Sequence, residues 1–304
     1  GETIEGCEST ISTLANNQVK TILDYSAEGK DSESEWDRTQ KEIMSAIKAT
    51  EGDDRHAFSV FKVSGLASTA LLEKIGTRLR PLEKLESATL SLNETEQAAW
   101  RRIKERFYAL CAQSAAIGKP VFVDAEESWI QPTIDALAES AMRTWNVEHT
   151  IVYNTVQLYR KDRLTYLQSL TKTATTEGFK IGVKLVRGAY MEKERERALN
   201  LGYISPIQPD KMATDRDFNA ALEWCISHLE NIALCAGSHN EQSNALLCQI
   251  MDELGIDRKD ERIWFAQLLG MSDPISFNLA RSNYRVAKYV PYGPIKETIP
   301  YLIR

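Results

Sequence analysis

The sequence predicts an α/β protein built on eight parallel strands. Three observations carry this: eight short apolar, β-branched runs, helical periodicity between them, and a length of 304 residues that suits one large core. The runs fall at 19–26, 58–65, 120–126 and 150–157, then at 181–188, 232–238, 263–270 and 286–293. Most are nearly continuous apolar stretches, as expected of parallel strands covered on both faces. Between them, Trp100, Ile103, Phe107, Leu110 and Cys111 recur at spacings of three and four, as do Phe218, Ala221, Leu222, Cys225 and Leu229, marking helices over 94–117 and 217–229. Such alternation gives a parallel sheet with crossover helices. Eight strands suit a closed (β/α)8 TIM-like barrel; an open doubly wound sheet satisfies the same alternation. No internal repeat interrupts the pattern, so 1–304 reads as one domain. Two stretches read as flexible loops: "EGKDSESEWD" at 28–37 and "GYISPIQPDKMAT" at 202–214, the second placed where a lid would sit.

Composition narrows the class. No apolar run approaches the roughly 20 residues that span a bilayer. "GETIEGCEST" lacks a signal peptide's basic start and apolar stretch, and the abrupt start and stop leave room for trimmed targeting segments. Cys7, Cys111, Cys225, Cys235 and Cys248 are odd in number and form no CxxC, which argues for reduced thiols. A net charge of −6 argues against general nucleic-acid binding.

In a barrel, chemistry gathers at the C-terminal ends of the strands, and these ends are polar here. The second run carries Lys62, the third ends at Asp124 before Glu126 and Glu127, and the fourth ends at Gln157. The fifth offers Lys184, Arg187 and Tyr190, the sixth ends in Ser238, His239 and Asn240, and the eighth carries Tyr289 and Tyr292. Burying an unpaired ammonium such as Lys62 among Phe58, Val60, Phe61 and Val63 is very costly. Taken singly, Lys62 also fits an outward position under a helix edge. The repetition over six strands favours a shared pocket.

There is no GxGxxG, Walker A, HExxH or GxSxG motif, and His56, His149, His228 and His239 form no metal-ligand spacing. No metal is expected. A pocket rich in Lys, Arg, Asp, Gln and Tyr suits an anion, and a cofactor that brings its own chemistry.

Seven stretches in order, "FKVSGL", "VDAEESWIQP", "VYNTVQLY", "VKLVRGAY", "GSHNEQS", "FAQLLGMSD" and "KYVPYGPIKETIPYLIR", resemble the successive motifs of the monofunctional, FAD-dependent proline dehydrogenase family. The resemblance runs from about residue 58 to the end and more weakly to the start. It implies a distorted barrel with N-terminal and inserted helices. It implies oxidation of L-proline to Δ1-pyrroline-5-carboxylate by hydride transfer to FAD, with electrons passed to a membrane quinone at a peripheral membrane site. That would lie at the mitochondrial inner membrane or matrix in a eukaryote, and in the cytoplasm or at the inner membrane in a bacterium.

On the same resemblance, Lys62 and Arg304 hold the substrate carboxylate and Asp124 supports them. Leu185, Tyr190, Leu268 and Tyr289 wall the proline ring. Gln157 and Lys184 lie at the flavin ring, where many relatives have arginine in place of Lys184. Arg187, Gly188 and Ala189 form the turn beside the cofactor, with Gly188 admitting close backbone approach. Ser238, His239 and Asn240 meet its dinucleotide part. Arg304 matches the first of two adjacent family arginines, so the last helix is expected to be cut at 304. Hydroxyproline dehydrogenase is the nearest alternative, a Schiff-base aldolase using Lys62 or Lys184 a more distant one, and a non-catalytic ligand-binding barrel the third.

Overall fold

Eight strands pair in sequence order, all parallel, and the ring closes where the first pairs with the last. Closure excludes the open sheet. The computed structural model describes residues 1–25, 31–79, 85–89 and 92–294. The expectations for Arg304 and the final helix lie outside the described residues.

In chain order, α1 (Glu8–Asn16) precedes β1 (Val19–Tyr25), and α2 (Glu33–Ala49) leads to β2 (His56–Phe61). Next come α3 (Thr69–Gly76), α4 (Leu85–Thr89) and α5 (Glu94–Ile117) before β3 (Val121–Val123), then α6 (Gln131–Trp145) before β4 (Val152–Gln157). α7 (Arg163–Glu177) precedes β5 (Ile181–Val186), and α8 (Met191–Leu201) and α9 (Lys211–Ile226) precede β6 (Ile232–Gly237). α10 (Glu241–Glu253), β7 (Ile263–Leu268), α11 (Asp273–Arg281) and β8 (Val286–Tyr292) complete the described chain.

The core has two layers, because alternate residues of each strand face opposite ways. Ile22, Phe58, Val60, Phe122, Tyr153, Cys235, Trp264 and Tyr289 fill the barrel interior. Val19, Leu23, Val121, Val123, Ile181, Val183 and Leu234 pack outward against the helices. All five cysteines are free. The α5 periodicity is anchored by a capping box, in which Asn93 and Glu96 each accept the other's backbone N–H.

Both expected loops are shorter than predicted. Residues 28–30 lie outside the described part, and 33–37 form the first turns of α2. Ser32 Oγ accepts from the Glu35 N–H, Glu33 and Glu35 sit where the helix dipole favours acids, and Trp36 is buried. The second connection ends at Asp210, whose carboxylate caps α9 by accepting from the Ala213 N–H at 2.8 Å. It is tied to the turn after β4: the Lys161 N–H donates to the Pro206 carbonyl at 2.9 Å and the Gln208 N–H to that of Tyr159 at 2.7 Å.

Candidate active site

The C-terminal mouth of the barrel gathers the predicted charges. Lys62 follows β2 at the start of a 3-10 turn (Val63–Gly65), and Asp124 follows β3. Asp124 Oδ2 accepts from Lys62 Nζ at 2.9 Å, and Oδ1 accepts from Lys184 Nζ. Tyr289 O–H accepts from Lys184 and donates to Asp124 Oδ1 at 3.4 Å. Burial pushes the Asp124 carboxyl up, but Lys184 and Lys62 beside it prevail and hold it at about 2. Two ammonium groups therefore share one carboxylate, leaving a net positive pocket suited to a small anion.

The Lys184 ammonium lies 5.1 Å from the centroid of Phe122 and 4.8 Å from that of Tyr289, whose rings are parallel and 6.4 Å apart. This aromatic clamp compensates part of its desolvation. The polar ends of the strands did not reveal Phe122, which reads as plain core.

Buried polar residues support the mouth from outside. Glu126 Oε1 accepts the Ser64 N–H at 2.9 Å and so fixes the turn that carries Lys62. Burial pushes Glu126 up to about 7. The Glu126 N–H donates to Gln131 Oε1, and Gln131 and Asn154 both donate to Asp135 Oδ1, each at 2.8 Å. Arg163 closes the group by donating to Asp135 Oδ2 at 2.6 Å.

Gln157 ends β4 facing inward and is buried, yet its Oε1 meets no donor among the described residues. Arg187 is fully engaged. Its Nε donates to Asp215 and one terminal nitrogen to Ser238 Oγ, both at 2.7 Å, and the other to Ser243 Oγ at 2.9 Å. Its guanidinium lies 4.4 Å from the Phe218 centroid. Arg187 thereby locks the β5 turn to α9 and to the start of α10. Asn240 caps α10 by accepting the Ser243 N–H at 2.9 Å, and Ser238 Oγ accepts the Asn240 N–H at 3.1 Å. His239 is exposed, with Nδ1 3.0 Å from Ser272 Oγ.

Gly188 has φ +139°, and a Cβ there would lie 2.5 Å from the Tyr159 ring. The space freed by this glycine is filled by Tyr159, where close approach of the cofactor was expected. Ala189 is exposed on the same turn, and half-buried Tyr190 starts α8. Leu268 packs on the inner layer near Tyr289. Lys288, unmarked by the sequence, holds the turn after Leu268: its buried ammonium donates to the Leu268 and Met271 carbonyls at 3.2 and 2.8 Å and to Asp273 at 2.6 Å. Leu185 is not brought to the mouth. It alternates with inward Lys184 and is buried in the outer layer, where it cannot wall a pocket inside the ring.

A β/α barrel with a charged, aromatic-lined mouth defines the class of protein, and the comparisons narrow it. The family described as proline dehydrogenase matches residues 7–304. Carbapenem antibiotics biosynthesis protein CarD of Pectobacterium carotovorum subsp. carotovorum is 36% identical over 304 residues, covering 100% of this chain and 76% of that protein. Proline dehydrogenase 1, mitochondrial, of Homo sapiens is 38% identical over 224 residues, 73% of this chain and 37% of the relative. The Dictyostelium discoideum protein of the same name is 33% identical over 339 residues, 100% of this chain and 59% of the relative. The chain thus spans less than two thirds of each of these two mitochondrial relatives. The crystal structure of proline utilization A from Bdellovibrio bacteriovorus superposes with a TM-score of 0.84 at 20% identity, covering 100% of this chain and 31% of that one. The chain belongs to the proline dehydrogenase family.

Proposed function

We propose that this chain is the barrel of an FAD-dependent proline dehydrogenase that oxidises L-proline to Δ1-pyrroline-5-carboxylate in proline catabolism and delivers the electrons to a membrane quinone. The Asp124 bridge between Lys62 and Lys184 carries the reading, because it prepares positive charge for an amino-acid carboxylate beside a flat aromatic wall. Lys62 would hold the carboxylate. Tyr289 and Leu268 would press on the ring and exclude water.

The residues present fit FAD. Gln157 offers a buried acceptor with no partner among the described residues, as a flavin N–H would need. Lys184 offers a cation, and Ser238, His239 and Asn240 offer a helix N-terminus suited to phosphate. Bound there, FAD supplies the two-electron acceptor for the C–N bond. The substrate amine must be neutral for its lone pair to assist oxidation, so turnover should rise with pH.

Membrane association is supported by Leu199, Leu201, Tyr203, Ile204 and Met212, which are exposed around the connection between α8 and α9. Residues 198–209 carry no charge, which suits a lipid surface. Their inner side is pinned to the turn after Gln157, so the apolar surface lies at the reactive end. Among the described residues, no helix is long and apolar enough to cross a membrane.

The test is to load purified protein with FAD and add L-proline under anaerobic conditions. A yellow protein whose flavin is bleached by proline, with a pyrroline product, is expected. A colourless protein with an unchanged melting temperature refutes the reading. Because Tyr289 would cover ring carbon C4, kcat/KM should favour proline over trans-4-hydroxyproline, and the opposite preference would mark a hydroxyproline dehydrogenase.

A further inference from the structure

The opposite end of the barrel is also hollow. A depression of about 500 Å³ at the N-terminal ends of the strands is lined by Lys20, Lys119, Lys180, Arg285 and Trp264, and one of about 400 Å³ beside it shares Lys20, Arg285 and Trp264. Lys20 shares the inward parity of Ile22 on β1. Trp264 forms the floor, edge-on to Phe58 at 5.4 Å. Two cations flank this one indole: Lys20 Nζ lies 5.9 Å and the Arg285 guanidinium 5.3 Å from its centroid.

Backbone carbonyls position three of these cations. Lys119 Nζ donates to the Asp53 and His56 carbonyls at 3.0 and 3.4 Å, Lys180 Nζ to the Glu230 carbonyl at 3.0 Å, and Arg285 Nε to the Lys259 carbonyl at 2.6 Å. Lys20 has no hydrogen-bond or ion-pair partner among the described residues. Burial pulls its pKa down, Lys119 and Arg285 add to the fall, and Asp54 opposes it. Asp54 reaches Lys119 Nζ at 3.7 Å and Glu261 reaches the Arg285 guanidinium at 3.4 Å, but both pairs are open to solvent on the acid's side and so are screened. Asp54 and Glu261 side chains are 99% and 89% exposed, against 17% for Lys119 and 26% for Arg285. Asp53 is taken by Arg55 at 2.8 Å, and Glu148 and Glu230 are exposed at the rim.

We propose that this depression is a second binding site, for a small molecule bearing a phosphate or polyphosphate group held between Lys20 and Arg285 over Trp264. Cations arriving from several strand ends match a multiply charged tetrahedral oxyanion better than a planar carboxylate. The packed aromatic interior separates it from the reactive mouth, so occupancy should stabilise the barrel without touching the chemistry.

The test uses the FAD-loaded protein and pyrophosphate at low ionic strength, with sodium chloride of matched ionic strength as control. Pyrophosphate should raise the melting temperature above the chloride control and change the tryptophan fluorescence, and the fluorescence change should vanish in Trp264→Phe. Lys20→Met with Arg285→Gln should weaken binding about tenfold or more, with flavin content and proline turnover unchanged. If the double variant does not fold, Lys20→Gln alone should show the same loss in smaller measure. An equal response to chloride, unchanged affinity in the variants, or competition by a proline-like carboxylate each overturns the proposal. Pyrophosphate affinity is read directly, so this outcome is separable from failure of proline oxidation.

Discussion

Asp124 Oδ2 and Lys62 Nζ, 62 residues apart in the chain, meet at 2.9 Å at the mouth of the barrel. The same carboxylate accepts from Lys184. Asp124 thus sets the position of both cations before any ligand arrives, and little ordering cost is left for binding.

Lys62→Ala should therefore weaken proline-like carboxylates by roughly 1.5–3 kcal/mol, the loss of one charge-assisted contact. Flavin content should be retained. Titration of the flavin spectrum with a carboxylate analogue measures it, and an unchanged affinity removes Lys62 from the substrate site. Asp124→Asn should do more harm to the fold, about 3–5 kcal/mol in denaturant unfolding, because it leaves buried Lys184 without its counter-charge.

Gln157→Leu separates a ligand role from a structural one. The wild-type Oε1 is buried and has no partner among the described residues, so its removal should leave the flavin-free protein as stable or more so. FAD affinity should fall by about 1–3 kcal/mol if a flavin N–H normally satisfies that oxygen. A variant that loses fold stability and keeps FAD affinity contradicts the assignment.

The apolar surface between α8 and α9 makes a third expectation. Burying a leucine or isoleucine contributes about 1.5–3 kcal/mol. Leu199→Ser combined with Ile204→Ser should sharply reduce sedimentation with neutral phospholipid vesicles while turnover with a soluble acceptor is unaltered. Undiminished sedimentation would place membrane contact elsewhere.

Stability should also depend on pH through Glu139. Burial first, and Asp135 second, raise its pKa to about 7, whereas in the unfolded chain it ionises near ~4.3. Between these values the native state binds more protons, so this contribution is fully present below about pH 4 and is lost as pH rises towards 7. Glu126 acts in the same direction. Each proton accounts for at most about 1.4 kcal/mol per pH unit, and Glu139→Gln should remove roughly half of the combined slope in melting curves between pH 4.5 and 7. An unaltered slope would show that Glu139 ionises normally.

The strands were legible because parallel strands buried on both faces are written as apolar runs. The faces were not. In "IGVKLV" only Lys184 betrays which residues point inward; Leu185 was expected at the mouth on the family resemblance and is found in the outer layer. The start of α2 carried a readable signal, Ser32 followed three residues later by Glu35, that its acidic composition obscured. Lys62, Asp124 and Lys184 were legible because charges are rare in otherwise apolar runs. Of their supports, Gln131 and Asp135 stand one turn apart on α6, but Glu126 follows β3 and Asn154 lies on β4, and no local spacing joins these three elements.

Closure of the ring through β1 and β8, in register from Val19 with Val286 to Tyr25 with Tyr292, also bears on biosynthesis. The strand made first has its final partner in the strand made last. Until β8 leaves the ribosome, β1 keeps one open edge, and a nascent or prematurely ended chain presents unpaired β-strand backbone to its neighbours. Such long-range closure slows folding and prolongs exposure to aggregation. Yield in the cell should therefore respond to chaperone supply and translation rate more than to substitutions on the outer helices.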